Sequence, residues 1–254
     1  DAASRGVRLA LMAVKGEIGC PSALTAKTWG FYPVLFKGKP FRFQRPFGAY
    51  VMENTLFKIP YPTAFHGQTG VEAAIKLHPL VKDRLDDIRK VEIRAHNSTM
   101  VILDKTGPLH NFADRDHCMR YMMSIGLIYG TMTAEHYHDH IASDPRIDRL
   151  RAKMNMQESK QYEREYHDPK KRTNANSIQV YFKDGTKTPL SEVLYPLGHR
   201  KRRKEGVPVL LKKFEGAVGK VFAAKQRDAI VAACHDQKRL EALPVNRLMD
   251  LLAL

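Results

Sequence analysis

Cysteine is scarce in this chain, with only Cys20, Cys118 and Cys234 among 254 residues, and none of the three belongs to a CxxC pair. The spacing gives no support to a disulfide framework, a structural zinc site or an iron–sulfur cluster held by paired cysteines. Scattered single cysteines are typical of free, buried thiols in a reducing or neutral compartment.

Long apolar runs are also lacking. The longest, over residues 121–129, is far shorter than the roughly 20 residues of a membrane span, and it predicts a buried helix instead. The chain contains no phosphate loop, no GxSxG elbow and no dinucleotide-binding fingerprint. We therefore expect neither a membrane-spanning helix nor an enzyme site built on one of these three motifs.

The start of the chain lacks both an initiator methionine and a signal peptide. Asp1 leads directly into a helical pattern over residues 2–14. We therefore expect the front half of a longer protein to be missing, together with any targeting sequence.

Basic residues outnumber acidic ones, 42 Lys and Arg against 27 Asp and Glu, for a net charge of +15. Such a surface attracts anions, and both nucleic acid and a small polycarboxylate fit. The net charge alone does not distinguish these partners.

The middle of the chain alternates between helical and extended patterns. Apolar spacing predicts a helix over residues 69–77, and residues 91–95 alternate as a half-buried strand does. Residues 101–103 are a second strand candidate. Extended runs on either side of Asp184-Gly185 predict a β-hairpin.

Capping residues predict two further helices. Asp114 is a suitable N-cap for a buried helix over residues 115–129, and Gly130 is its predicted end. Asp144-Pro145 is a typical helix start.

Both ends of the chain are helical in pattern. Besides residues 2–14, a short helix is predicted over residues 23–29, and residues 31–47 read as a long connection interrupted by prolines. Helices return from about residue 205 onward. This order predicts the α+β fold class, with an α+β domain inserted into a larger helical one.

The domain boundaries follow from this order. Residues 1–55 are assigned to the end of the first part of the helical domain, residues 56–193 to the inserted α+β domain, and residues 194–254 to the C-terminal helices. Only the C-terminal parts of the helical domain are expected to be present.

His66 lies just ahead of the predicted helix at residues 69–77. An imidazole near a helix N-terminus is suited to exchanging protons close to neutral pH. The same pattern also fits a capping or solvated histidine, so it does not by itself indicate catalysis.

Three histidines form an H-x-H-x-H motif, His136, His138 and His140. On one helix, the first and third would share a face and could bind a metal. No third ligand stands at a supporting spacing, and the polar surroundings fit a solvated helix end. We therefore predict no metal site.

Residues 198–204 form a dense cationic run, and Arg42 and Arg45 lie in a second basic segment. Arg200 in the run and Arg115 near a predicted helix start are further cations that could grip carboxylates in a bidentate manner. Nucleic-acid binding would favour aromatic residues interleaved with the charges, and the run has none. A solvated loop is the remaining alternative.

Several collinear segments together resemble the MmgE/PrpD family, and in particular its dehydratases of 2-methylcitrate. The resemblance extends over the whole chain. It rests on residues 3–13 (ASRGVRLALMA), 21–25 (PSALT), 29–32 (WGFY), 41–47 (FRFQRPF), 50–58 (YVMENTLFK), 107–109 (GPL), 113–118 (ADRDHC) and 166–169 (YHDP).

The resemblance implies a large all-helical domain with an α+β lid inserted near its C-terminal end. Members generally act as homodimers without metal or organic cofactor. The implied activity is that of a lyase, which removes water from 2-methylcitrate to give cis-2-methylaconitate in propionate catabolism. The substrate is therefore a small tricarboxylate.

The same resemblance assigns site residues. His66 matches a catalytic lid histidine in the cleft between lid and helical domain, and Tyr121 matches a tyrosine that faces this cleft. Arg42, Arg45, Arg115 and Arg200 are the candidates for holding substrate carboxylates. The family also uses a lysine that would precede Asp1, with a histidine and an aspartate from the missing half. We therefore expect the chain alone to be inactive, which measurable turnover would contradict.

Two other functions remain open. One is cis-aconitate decarboxylase activity on the same fold, and the other is a basic nucleic-acid-binding module. The resemblance favours neither, so no nucleic acid and no membrane is expected as a partner. The implied compartment is the mitochondrial matrix for a eukaryotic source and the cytoplasm otherwise.

Overall fold

The computed structural model describes residues 1–39, 42–43 and 55–253. The chain forms two compact units, Asp1–Tyr50 and Val51–Leu254. The first unit contains α1 (Ala2–Val14) and α2 (Phe31–Phe36). No residue of α1 is buried.

Two expectations for the first unit were wrong. Residues 23–29 form turns rather than a helix, because the Ser22 carbonyl accepts from the N–H groups of Thr25 and Ala26 without a continuing helical ladder. The predicted connection over residues 31–47 begins as a helix, α2. Pro33 lies in its first turn, where a missing N–H breaks no helical hydrogen bond. Residues 40–41 and 44–47 of that connection lie outside the described part.

The second unit is mixed α/β. In chain order its first elements are α3 (Gln68–Val81), β1 (Ile88–Ala95), α4 (Asn97–Leu103), α5 (Phe112–Asp116), α6 (Met119–Tyr129), α7 (Asp139–Ala142) and α8 (Pro145–Arg151). They are followed by β2 (Met154–Glu158), α9 (Lys160–His167), β3 (Asn176–Phe182) and β4 (Ser191–Val193). The chain continues with α10 (Arg203–Val218), α11 (Ala224–His235), α12 (Gln237–Ala242) and α13 (Val245–Leu252).

The strands of the described residues form one four-stranded sheet in the order β2-β1-β3-β4. β1 pairs in parallel with β2 and antiparallel with β3, and β3 pairs antiparallel with β4. The alternating burial along β1 confirms the predicted strand at residues 91–95. The hairpin is also confirmed, because β3 and β4 flank the turn in which Gly185 has a φ of +85°.

The main core lies between the sheet and two neighbouring helices. α3 contacts α6, β3 and β4, and its buried face confirms the helix predicted over residues 69–77. α6 is buried nearly all round, as its apolar sequence predicted. The two helices approach closely at Gly126, where an added Cβ would lie 3.0 Å from the Cβ of Ala74.

Of three local predictions for this unit, two were wrong and one is confirmed. Residues 101–103 belong to α4 rather than to a strand, because a helical face buries Leu103 while Val101 is exposed. Asp114 is not a helix N-cap. Asn111 caps α5 by accepting from the Asp114 N–H at 2.9 Å. This helix ends at Asp116, and α6 begins as a separate helix at Met119. Gly130 does end α6, with a φ of +66°.

The final part of the second unit is helical, as predicted, and Asp144 caps α8 through its side chain. Among the described residues, no helix is long and apolar enough to cross a membrane. The boundaries 1–55, 56–193 and 194–254 stay a prediction.

Candidate active site

His66 lies in a short 3-10 turn, Phe65–Gly67, that leads into α3. The loop before it is held by Gln68, whose amide donates to the carbonyl of Tyr61 at 2.6 Å and to the hydroxyl of Thr63 at 2.7 Å. Gly67 lets the turn approach α6, because a Cβ there would lie 2.8 Å from Cε of Met122. The His66 side chain is half-buried.

Asn174, just before β3, joins two histidines through one oxygen. Its Oδ1 lies 3.3 Å from Nδ1 of His66 and 2.9 Å from Nε2 of His96. The Asn174 amide nitrogen donates to the carbonyl of Phe65 at 3.1 Å, which fixes the side on which the oxygen lies. Because a carbonyl oxygen only accepts, both imidazole nitrogens that face it carry hydrogen.

This contact sets the chemistry of His66. With hydrogen on Nδ1, the neutral ring carries its lone pair on Nε2, which is the atom able to accept a proton. Burial lowers the pKa of His66 below its ordinary value of 6.5, and the hydrogen bond that His66 donates to Asn174 opposes this shift. The imidazole is therefore neutral at pH 7 and available as a general base.

His96 is fully buried at the end of β1 and stacks on Tyr166, with ring centroids 4.1 Å apart and planes inclined by 13°. Its ring meets that of His66 edge-on at 5.1 Å. Burial is the main cause that lowers the pKa of His96. Its Nδ1 makes no hydrogen bond to any described residue. We call His66, His96, Tyr166 and Asn174 the histidine cluster.

A second feature is a cavity of about 690 Å³ bordered by the loop after α4 and by α5, α6, α7 and α8. Four cationic side chains line it, those of Lys105, Arg115, Arg120 and Arg151. We call it the cationic cavity. Its volume falls in the range of about 300–1,000 Å³ that is common for small-molecule sites.

Tyr121 and Arg115, two predicted site residues, line the cationic cavity. The Tyr121 hydroxyl donates to the carbonyl of His136, and burial raises the pKa of Tyr121 to about 12. His66 is not among the residues that line this cavity. The structure therefore gives His66 and Tyr121 different immediate surroundings, and the catalytic role of each stays a prediction.

The other predicted carboxylate-binding residues are not brought to either feature by a described contact. Arg42 is exposed in the first unit, and Arg45 lies outside the described residues. Arg200 is exposed in a 3-10 turn, Arg200–Arg202. Substrate binding by these three residues stays a prediction.

Part of the cationic run serves the fold. Arg202 donates to Glu72 at 2.8 Å and also pairs with Glu205. His199, buried at the start of the run, caps the following turn by accepting from the Lys201 N–H. These contacts make the run less available to a polyanion than its sequence indicated.

The three histidines of the H-x-H-x-H motif do not share one helix. His136 lies in a 3-10 turn and forms a capping box with Thr133, whereas His140 lies in α7 and pairs with Glu135. Within the described ranges, no group of three or more His, Cys, Asp or Glu residues could hold a metal ion.

Sequence reasoning missed His96 and Asn174. His96 follows a well-predicted strand, and Asn174 precedes another, so both stand at strand ends where functional side chains often gather. Tyr166 did lie in a segment that carried the family resemblance, but no role was assigned to it.

The fold and the candidate site define a class: a mixed α/β unit with a partly buried histidine cluster and, in different surroundings, a cationic cavity. The family model of the MmgE/PrpD C-terminal domain matches residues 61–237, and that of the MmgE/PrpD N-terminal domain matches residues 1–44. The chain belongs to the MmgE/PrpD family.

Its relatives include proteins named 2-methylcitrate dehydratase. The Cupriavidus necator relative is 55% identical over 259 residues, covering 100% of this chain and 53% of the relative. The mitochondrial relative of Yarrowia lipolytica is 55% identical, covering 91% and 46%, and that of Escherichia coli K12 is 51% identical, covering 99% and 53%. The chain thus spans about half the length of the curated relatives that it matches.

Proposed function

We propose that this chain carries part of the active site of a hydro-lyase that dehydrates 2-methylcitrate to cis-2-methylaconitate. The geometric observation behind this proposal is the contact between Asn174 Oδ1 and His66 Nδ1, 3.3 Å long, which leaves Nε2 of His66 as the proton acceptor. The names of the three relatives support the substrate and the reaction.

In the proposed reaction, Nε2 of His66 takes the proton from the carbon next to a carboxylate. The electron pair of that C–H bond forms the C=C bond as the C–O bond of the tertiary hydroxyl breaks. The hydroxyl leaves with a proton from an acid, so the products are the enoate and water. His66 then releases its proton to solvent and the acid regains one from solvent, which restores both groups. No other reactant is consumed, and the proposed activity is cofactor-independent.

Tyr121 remains the second predicted catalytic residue. Its raised pKa keeps the phenol protonated at pH 7, as an acid requires. Its hydroxyl proton is directed at the His136 carbonyl, so donation to a leaving hydroxyl requires that hydrogen bond to break first. Arg42, Arg45, Arg115 and Arg200 remain the proposed carboxylate-binding residues.

A chimera tests the reaction. The 254 residues replace the matching 53% of the Cupriavidus necator relative, and ultraviolet absorbance follows enoate formation from 2-methylcitrate. His66→Ala should lower kcat by at least about 100-fold, the typical loss on removing a general base. His110→Ala, at an exposed histidine, is the matched control and should retain the parental rate.

Three outcomes would contradict the proposal. An unchanged rate in the His66→Ala chimera would show that His66 is not the general base. Carbon dioxide and itaconate from cis-aconitate, in place of water and an enoate, would indicate the decarboxylase. Steeply salt-dependent retention on DNA or RNA would favour the nucleic-acid module.

For the architecture, we infer that residues 56–193 form a lid inserted into a mostly helical domain. The sheet and the match to the C-terminal domain model, residues 61–237, support this. Limited proteolysis should cut near residues 55 and 194 before it cuts within the sheet. Early cleavage inside β1 or β3 would contradict the boundaries.

For assembly and compartment, we propose a homodimer, located in the mitochondrial matrix if the source is eukaryotic and in the cytoplasm otherwise. The printed name of the Yarrowia lipolytica relative supports the mitochondrial setting. Light scattering coupled to size-exclusion chromatography measures the mass of the chimera in solution. A mass equal to that of one chain would contradict the proposed homodimer. Cell fractionation tests the compartment.

A further inference from the structure

His96 is fully buried, and its backbone and its ring are both held in place. β1 ends at the residue before it, and the His96 carbonyl accepts from the N–H groups of Thr99 and Met100 at 3.0 and 3.2 Å. The His96 ring lies flat on that of Tyr166, with centroids 4.1 Å apart. The imidazole of His96 therefore has a fixed position beside His66.

The contacts of His96 define one tautomer. Its Nε2 lies 2.9 Å from Asn174 Oδ1 and 2.9 Å from the hydroxyl oxygen of Thr99. Its Nδ1 is buried and makes no hydrogen bond to any described residue. Hydrogen on Nδ1 would leave a buried donor without an acceptor and would set the Nε2 lone pair against the Asn174 oxygen. The hydrogen is therefore carried by Nε2.

The same surroundings keep His96 uncharged. A charged imidazole carries hydrogen on both nitrogens, and the second N–H of His96 would be buried without an acceptor. Burial acts in the same direction and is the largest cause that lowers the pKa of His96. His96 is thus a neutral hydrogen-bond donor at pH values where an exposed histidine already gains its charge.

Two N–H groups consequently meet at the single side-chain oxygen of Asn174. The contact from His96 has an ordinary hydrogen-bond length of 2.9 Å, whereas the contact from His66 is longer, 3.3 Å. The first donor offsets part of the negative charge on the oxygen, so the oxygen attracts the second donor less strongly. The His66 contact is the weaker of the two.

We propose that His96 is a positioning residue for His66, because it holds the Asn174 oxygen and so weakens the hydrogen bond that His66 makes to this oxygen. His96 acts through Asn174 and is not itself a catalytic residue. The effect on the two side chains does not require turnover. Only its consequence for catalysis rests on the function proposed above, in which His66 is the general base.

This role suits a base that must release its proton in every turnover. When Nε2 of His66 takes a proton, the ring becomes positively charged, and a strong hydrogen bond from Nδ1 would stabilise that charged form. A neutral acceptor shared with His96 stabilises it less, and uncharged His96 adds no second positive charge beside it. His66 is therefore neutral at pH 7 when each turnover begins, and it releases its proton readily.

Three other titratable groups lie near the two histidine rings, and all of them belong to α9: Tyr166, Glu163 and His167. Glu163 pairs with Nε2 of His167 at 2.9 Å. Glu163 raises the pKa of His96 and His167 lowers it, each by less than burial does. Because these two effects oppose each other, burial and the Asn174 contact determine the protonation of His96.

Two substitutions separate the N–H group of His96 from its ring. His96→Phe keeps an aromatic ring against Tyr166 but donates no hydrogen bond, whereas His96→Gln loses the ring and can still donate to Asn174 through its amide. NMR of the ring nitrogens in the 254-residue chain measures the pKa of His66. This pKa should rise by about 0.3–1 unit in His96→Phe and by less than about 0.2 unit in His96→Gln.

An unchanged pKa of His66 in His96→Phe would overturn the proposal. An equal rise in both variants would also overturn it, because the ring rather than the N–H group would then be responsible. If the variants fail to fold, the unmodified chain provides the test. Its NMR spectrum should show hydrogen on Nε2 of His96 and no titration of His96 between about pH 6 and 8. Hydrogen on Nδ1, or titration in that range, would refute the role of His96.

Turnover by the chimera with the Cupriavidus necator relative tests the link to catalysis separately. The acidic limb of kcat/KM against pH should move to higher pH in His96→Phe, by the same amount as the pKa of His66 measured by NMR. In His96→Gln the limb should return to its original position. A shift in the NMR titration without movement of this limb would uphold the role of His96 and contradict His66 as the general base.

Discussion

Asn174 Oδ1 lies 3.3 Å from Nδ1 of His66, although the two residues are 108 positions apart in the chain. The same oxygen lies 2.9 Å from Nε2 of His96. One side-chain amide thus sets the tautomer of two imidazoles, and it makes Asn174 a positioning residue for the proposed base.

Asn174→Ala removes this acceptor and the donor to the Phe65 carbonyl. We expect a loss of about 1–3 kcal/mol in the free energy of unfolding, because buried polar groups lose their partners. Urea denaturation measures the loss, and NMR of the ring nitrogens should detect mixed tautomers of His66 in place of one. Asn155→Ala, at an exposed position of β2, should change stability by less than about 0.5 kcal/mol. A single Nδ1–H tautomer retained in Asn174→Ala would disprove the positioning role.

Two glycines should respond oppositely to alanine. A Cβ at Gly198 would lie 1.7 Å from the carbonyl oxygen of Phe57, whereas a Cβ at Gly216 in α10 meets nothing within 4 Å. Gly198→Ala should destabilise by about 1–3 kcal/mol or more, since backbone must move. Gly216→Ala should stabilise by about 0.5–1 kcal/mol through helix propensity. Thermal unfolding followed by circular dichroism compares them, and equal midpoints would contradict the packing at Gly198.

Acid should destabilise the protein through His199. Burial, followed by the charges of Arg200, Lys201 and Arg203, lowers the pKa of His199 to about 4. Between pH 6.5 and about 4 the unfolded chain therefore binds a proton that the folded protein does not. The contribution of neutral His199 to the free energy of unfolding should be fully present above pH 6.5. It should decrease as the pH falls toward 4, by at most about 1.4 kcal/mol per pH unit.

His199→Asn tests this pH dependence, because asparagine can still cap the turn but does not titrate. We expect a shallower loss of stability between pH 6.5 and 4, measured by urea unfolding at several pH values. His110→Asn, at an exposed histidine, should keep the original slope. Identical slopes of unfolding free energy against pH for His199→Asn and the unmodified chain would show that His199 does not contribute to the acid sensitivity.

The three thiols should react at different rates. Cys20 is exposed, Cys234 is partly exposed and Cys118 is buried, so the expectation of buried thiols holds fully only for Cys118. A thiol reagent with a coloured product should modify Cys20 first and Cys118 only as the protein opens. Cys20→Ser should remove the fast phase. A fast phase that persists in this variant would contradict the assignment.

The sequence predicted the elements whose signal is local. Residues 91–95 alternate, residues 69–77 repeat at helical spacing, and Asp184-Gly185 is a hairpin turn, so β1, α3 and the hairpin were foreseen. The prediction for residues 101–103 was wrong because the β-branched side chains of Val101 and Ile102 favour a strand, whereas packing on one helical face decides the structure. β2 was missed because its pairing with β1 is distant in sequence.

The candidate site was less predictable. His66 was selected through family resemblance, since its local pattern also fits a capping histidine. The Asn174 contact depends on the tertiary fold, which no local pattern encodes. Arg120 and Arg151 look in sequence like solvated helix charges, and only the folded chain brings them to one cavity.

The parallel pairing of β1 with β2 has a kinetic consequence. β3 and β4 pair across the turn at Gly185 and are close in the chain, whereas α4 through α8 lie between β1 and β2 in the chain. Loop closure over that separation is slow, and β1 stays open meanwhile to pairing with another chain. Dilute refolding should therefore give higher yields than concentrated refolding, and pulsed hydrogen exchange should record protection in β3 before β2.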